Sequence, residues 1–183
     1  MEVETKFRTD DLEALRSKLI NMGAVFSKVT TQIDEYFKPK GREREVQRPG
    51  SFILRIRIEG DKSTFTYKNL TDRTGVWVEH ETEISDPAEM KNILTKAGFS
   101  QLFTITKTRT TGHIGELELC LDHVKELGDY LEIALDSENG EEAKQKISDF
   151  MAKIGISEKD VEHRGYAAII SQNMGIKFEG TNG

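Results

Sequence analysis

The sequence predicts an α+β protein in which eight antiparallel strands close into a barrel, a tunnel with a polar, charged interior and amphipathic helices packed outside. Three observations carry this. Eight stretches alternate with period two, most with charge on one face and aliphatic side chains on the other. Three runs of helical periodicity fall among them. The chain has 183 residues, 36% hydrophobic and 32% charged, more charge than an ordinary outer surface needs. That length suits one domain, taken as residues 1–175, with 176–183 as a disordered tail.

The first strand is expected at 2–8, where Glu2, Glu4 and Lys6 share one face and Val3, Thr5 and Phe7 the other. Leu12, Leu15, Leu19 and Met22 then recur at helical spacing behind Thr9 or Asp10 as a cap, and Gly23 stands where a helix ends. Strands follow at 30–38, 51–59, 63–69 and 76–84. Asp86, Pro87 and Glu89 announce a second helix through Met90, Ile93, Leu94 and Ala97, closed by Gly98. Strands at 102–111, 114–122 and 129–136 precede a third helix over Glu141–Ile154, with Ala143, Ile147, Phe150, Met151 and Ile154 on one face. The order strand, helix, three strands thus occurs twice, as in two related halves. The stretch KPKGREREVQRPG at 38–50 reads as a mobile loop.

Charge on these strands is sorted by sign. Arg55 and Arg57 alternate with Leu54, Ile56 and Ile58, and Lys68 follows Thr64 and Thr66. Lys107 and Arg109 form a second cationic strand. Glu79, Glu81 and Glu83 line a third face, and Glu116, Glu118 and Asp122 another, with Glu132 on the last strand. A solvent-facing arrangement satisfies every residue, but outer surfaces usually intersperse the two signs. Turned inward, eight strands leave room for one small ligand, and buried charge then requires partners. Carboxylate oxygens suit Mg²⁺ or Mn²⁺, and guanidinium and ammonium groups suit phosphate oxygens. A metal-bound polyphosphate needs both.

The net charge of −6 argues against general affinity for nucleic acid or anionic membranes. One cysteine, Cys120, excludes an internal disulfide framework. No apolar run approaches a membrane span and the start is acidic, so a soluble cytoplasmic protein is expected. His80, His113, His123 and His163 lack metal-ligand spacing, and Cys120 and Trp77 read as structural. Tyr166, with Ile169 and Ile170, belongs to a last helix that caps one end.

In order, the motifs E-x-E-x-K at Glu2 to Lys6, DEYF at Asp34 to Phe37, LRIR at Arg55 and Arg57, TYK at Lys68, ETE at Glu81 to Glu83, TKTR at Lys107 and Arg109, and LDHVKELGDYLEIA with Asp122 and Glu132 resemble the CYTH superfamily, the triphosphate tunnel metalloenzymes. Within it, the last motif and the late HRGYAAII look most like class IV adenylate cyclases; the triphosphatase branch often has a second acid where this chain has Ala134. The resemblance implies conversion of ATP to cyclic AMP and pyrophosphate, with an inorganic, thiamine or nucleoside triphosphatase as the alternative and a non-catalytic nucleotide or polyphosphate binder as a second. It implies that Glu2, Glu4, Asp122 and Glu132 hold Mg²⁺ or Mn²⁺, with Asp122 a ligand or an orienting acid. Lys6, Arg55, Arg57, Lys68, Lys107 and Arg109 would then grip the triphosphate, and Glu81 and Glu83 bind a second metal or pair with these cations. No general base is assigned, Glu118 has no counterpart, and a homodimer is implied.

Overall fold

The computed structural model describes residues 2–70 and 77–177, except for the side chains of Glu2 and Trp77. The expectations for the Trp77 side chain, residue 76 and the tail from 178 onward lie outside the described residues. At the edge of the expected tail, Ile176 is buried and the Lys177 carbonyl accepts a hydrogen bond from Gln47 N at 2.8 Å.

Nine strands and four α-helices are described. In chain order they are β1 (Glu2–Thr9), α1 (Leu12–Asn21), β2 (Val25–Pro39), β3 (Phe52–Glu59), β4 (Lys62–Leu70), β5 (Trp77–Glu83), α2 (Pro87–Lys96), β6 (Phe99–Ile114), β7 (Leu117–Val124), β8 (Gly128–Asp136), α3 (Gly140–Lys153), β9 (Val161–Glu162) and α4 (Tyr166–Asn173). Strand–helix–three strands does occur twice. The helix starts follow from side-chain caps. Asp86 Oδ1 accepts Glu89 N at 2.9 Å with Pro87 in the first turn, while α1 is capped by Asp11, one residue later than expected, through Ala14 N at 2.8 Å.

The strand order is β5-β4-β3-β2-β6-β7-β8-β1-β9. This corrects the expected eight-stranded closed barrel: among the described residues the sheet has nine strands and hydrogen bonding does not close it. The extra strand is only two residues long, too short to leave a periodic signature, yet it pairs with Lys6 and Phe7 on the side of β1 opposite β8. Bonding on both sides ties down a strand that begins at the second residue of the chain.

The contacts cluster into two compact units, residues 1–31 with 107–163 and residues 32–106 with 164–183. In the first unit, Leu119, Leu121, Leu131, Ile133 and Leu135 of β7 and β8 pack with Phe7, Leu19 of α1 and Ile147, Phe150 and Met151 of α3. Gly112 of β6 is needed there, because a Cβ would run into the Phe26 ring and stand 2.7 Å from the Val25 carbonyl. In the second unit, Phe37, Leu54 and Ile56 pack with Leu94 of α2. In the first unit α1 and α3, and in the second α2, cover the aliphatic face of the strands, and the charged side chains alternate to the other face.

The expected mobile loop at 38–50 is tethered. Lys38 is buried at the end of β2 and donates to Glu45 Oε1 at 3.0 Å and to Gln47 Oε1 at 3.4 Å. Burial pushes the Lys38 ammonium down from its ordinary range, against the pull of Glu45.

Candidate functional site

In the second unit the regular ladder of β2 to β5 sets polar side chains in rows. One row is Tyr36, Arg55, Thr66 and Glu81; the next is Asp34, Arg57, Thr64 and Glu83; beyond it lie Gln32, Glu59 and Lys62. Arg57 meets Asp34 with two parallel bonds, Nε to Oδ1 at 2.6 Å and Nη2 to Oδ2 at 2.7 Å. Arg55 Nη2 donates to Thr66 Oγ1 at 3.0 Å and Glu81 Oε2 at 2.9 Å, and the Thr66 hydroxyl donates to the same Glu81 oxygen at 2.7 Å. Lys68 Nζ lies 2.6 Å from Glu79 Oε1.

Burial would raise the Glu81 carboxyl, but the Thr66 hydroxyl and Arg55 outweigh it and hold it below its ordinary value. Burial, with Arg55 nearby, lowers Lys68 despite Glu79. The Tyr36 phenol, shut from water and beside Asp34, is pushed up to about 12.

Among the described residues, three buried polar atoms on this face lack a hydrogen-bond partner: Arg55 Nε, Thr64 Oγ1 and Gln32 Oε1. Buried groups in folded proteins are nearly always satisfied, so orphans call for an explanation. Two of the three can donate, beside a cluster of guanidinium groups, and that suits an anion.

In the first unit Arg109 is the hub. Its Nε and Nη2 each lie 2.7 Å from the two oxygens of Asp122, and Nη2 also donates to Glu132 Oε1 at 2.9 Å. Burial would lower the Arg109 guanidinium, but the Asp122 bond and the Glu132 charge more than reverse this and raise it. Lys6 Nζ lies 3.4 Å from Glu4 Oε1 and 3.6 Å from Glu132 Oε2, and Lys107 Nζ lies 3.9 Å from Asp122 Oδ2. Cys120, opposite Glu132 on the ladder, is pushed up to about 12 chiefly by burial, which leaves it an inert thiol.

Among the described residues, no three of His, Cys, Asp and Glu gather into a metal-holding group. The donor set fits a hard divalent ion through Glu4 and Glu132, whose oxygens bracket the Lys6 ammonium. Asp122 fits less well as a ligand, because both its oxygens already meet Arg109. Glu2 pairs with Asp136 at the start of β1, and its side chain lies outside the described residues. Glu118 and Glu4 both stand opposite Ala134, on either side of β8. Exposed Glu83 stands opposite Thr64.

The structure brings Lys6, Lys107, Arg109, Asp122 and Glu132 together in the first unit, and Arg55, Arg57, Lys68 and Glu81 in the second; the sequence reading expected all of them in one site. It gave no role to Asp34 or Thr66, and did not single out Gln32. Their signal was parity alone: 32, 34 and 36 alternate along β2, and 64, 66 and 68 along β4.

Residues 1–166 match the CYTH domain. This chain belongs to the CYTH family. It is 22% identical over 182 residues, 97% of this chain and 93% of the relative, to the adenylate cyclase CyaB of Aeromonas hydrophila. The solved structure of the PH1012 protein of Pyrococcus horikoshii is similar at 31% identity, with a TM-score of 0.77 and 92% and 98% of the two chains covered. A Hippeastrum protein named as an adenylyl cyclase but described as having dominant triphosphatase activity shares the fold at 20% identity, with a TM-score of 0.67 and 95% of each chain covered. Among the described residues of this CYTH protein, no helix is long and apolar enough to cross a membrane.

Proposed function

We propose that this CYTH protein is a metal-dependent enzyme acting on a triphosphate, and that its reaction is the cyclisation of ATP to cyclic AMP and pyrophosphate. The observation that carries the triphosphate reading is the pair of buried donors without partners, Arg55 Nε and Thr64 Oγ1, on a face rich in arginine. Family membership and the cyclase name of the Aeromonas relative point the same way.

In this reading Arg55, Arg57 and Lys68 bind phosphate oxygens in the second unit, and Lys6, Lys107 and Arg109 do so in the first. Asp34 fixes the Arg57 fork, and Asp122 fixes that of Arg109, so each guanidinium is oriented before substrate arrives. Glu81 steadies Arg55 through Thr66, and exposed Glu83 is a further acid at that edge. Glu4 and Glu132, with Glu2, would hold Mg²⁺ or Mn²⁺, which when bound supplies positive charge against phosphate oxygens. Cyclisation requires the ribose 3′-hydroxyl to attack the α-phosphorus, losing its proton, as the bond to the leaving pyrophosphate breaks; fixed cations stabilise the charge that develops on that pyrophosphate.

The same cation set serves a triphosphatase, in which water attacks phosphorus. The activity described for the Hippeastrum protein favours that as the second reading. Incubating the purified protein with Mg²⁺ or Mn²⁺ and ATP, tripolyphosphate or thiamine triphosphate separates them. Cyclic AMP with pyrophosphate is the expected outcome; orthophosphate alone selects the triphosphatase. Binding of every substrate without any product contradicts an enzyme altogether and leaves a nucleotide-binding protein.

A further inference from the structure

Gln32 is buried, only 6% exposed, on the polar face of β2. Its Nε2 donates to Glu59 Oε2 at 2.6 Å, across the ladder where Gln32 and Glu59 stand opposite. A carboxylate only accepts, so the amide must turn its NH₂ toward Glu59. The remaining atom, Oε1, is then an acceptor, and it is buried without a partner. Unlike Arg55 Nε and Thr64 Oγ1, this orphan has no use for phosphate, which offers no donor at neutral pH.

The row order gives this acceptor a place. Gln32 shares its face with Asp34 and Tyr36, which stand opposite Arg57 and Arg55. At about 3.3 Å per residue, the acceptor's row lies roughly 7 Å beyond the Arg57 row and roughly 13 Å beyond the Arg55 row. A ligand whose phosphates meet the guanidinium groups would bring its other end to Gln32. Its sugar hydroxyls lie close to the phosphates, and the far end is the base.

We infer that Gln32 is a specificity-determining residue that accepts an N–H from the exocyclic amine of a nucleobase, so that the substrate is a nucleoside triphosphate with an amino-bearing base rather than inorganic polyphosphate. This rests on the triphosphate reading above. Glu59 is the positioning residue: it holds the amide in the orientation that presents oxygen. A site built to accept a substrate N–H rejects the analogue lacking it, since the buried acceptor is left unpaired.

The test is calorimetric titration of wild type and Gln32→Met with ATP, inosine triphosphate and tripolyphosphate, without divalent metal, so that binding is read without turnover. Inosine triphosphate keeps the sugar and phosphates but replaces the amine by a carbonyl. The expected result is roughly tenfold or greater preference of the wild type for ATP over inosine triphosphate. That preference should be lost in Gln32→Met, with tripolyphosphate affinity unchanged. Equal wild-type affinity for the two nucleotides overturns the inference, and being measured on the native protein it does not depend on the variant folding. Equal weakening of both nucleotides in Gln32→Met also overturns it, by moving the contact to the sugar. If tripolyphosphate and both nucleotides fail to bind the wild type with Mg²⁺ supplied as well as without it, the triphosphate reading itself has failed, and this inference with it.

Discussion

The two units of the chain both carry arginine–carboxylate pairs on the face away from their helices, but they finish those pairs differently. In the first, Arg109 makes three bonds to Asp122 and Glu132 at 2.7–2.9 Å, and Asp122 is fully buried. In the second, Arg55 leans on Glu81, whose side chain is 45% exposed, and its Nε is left without a partner. Both Arg109 forks toward Asp122 are made, while the second cluster keeps a buried donor without a partner. A well-paired network holds its side chains in place before a ligand arrives, and a buried donor without a partner marks a point where a ligand atom is wanted.

The largest expected consequence concerns stability. Asp122→Ala removes a fully buried carboxylate that takes two Arg109 bonds and faces Lys107, and should cost about 3–5 kcal/mol in denaturant unfolding. Glu81→Ala removes a partner that water already reaches, and should cost less than about 1 kcal/mol. Equal losses would erase the distinction between the clusters.

Ligand binding should show the reverse. Arg55→Met is expected to weaken tripolyphosphate binding roughly tenfold or more, as loss of a charged hydrogen-bond donor does, and Arg57→Ala to weaken it as well. Calorimetry showing undiminished affinity in Arg55→Met would mean that its orphan Nε serves no anion.

The smallest effect is on pH. Glu81 is held below its ordinary value near 4.5, so its contribution is present above that pH and lost as the pH falls through the lower folded value. Glu81→Gln should flatten the acid limb of the stability profile below about pH 4.5, by under about 1 kcal/mol because the group is half exposed. An unchanged acid limb would show that the pair with Arg55 contributes nothing in solution.

Much of this was legible in the alternation of residues. Period two located the eight longer strands, and caps such as Asp86–Pro87 located helices, because both are local effects of backbone geometry. The pairing partners were not local. The two sequence halves do not form the two units: β1 and α1 join β7, β8 and α3, whereas β5 and α2 join β3 and β4. The two-residue β9 has no periodicity to read, so its pairing with β1 left no trace in the sequence. Residue types alone marked the cations and acids, but only the register paired Arg57 with Asp34 and Arg109 with Asp122. Gln32 was invisible for the same reason: its meaning depends on Glu59 opposite, which fixes the amide.

The central claim is that the chain turns over a triphosphate with the help of the Glu4 and Glu132 carboxylates. Product analysis of wild type, Glu4→Gln and Glu132→Gln with ATP and Mn²⁺ tests it most directly. The account predicts cyclic AMP and pyrophosphate from the wild type, and no metal-dependent product from either folded variant. Wild-type rates in both variants would contradict it.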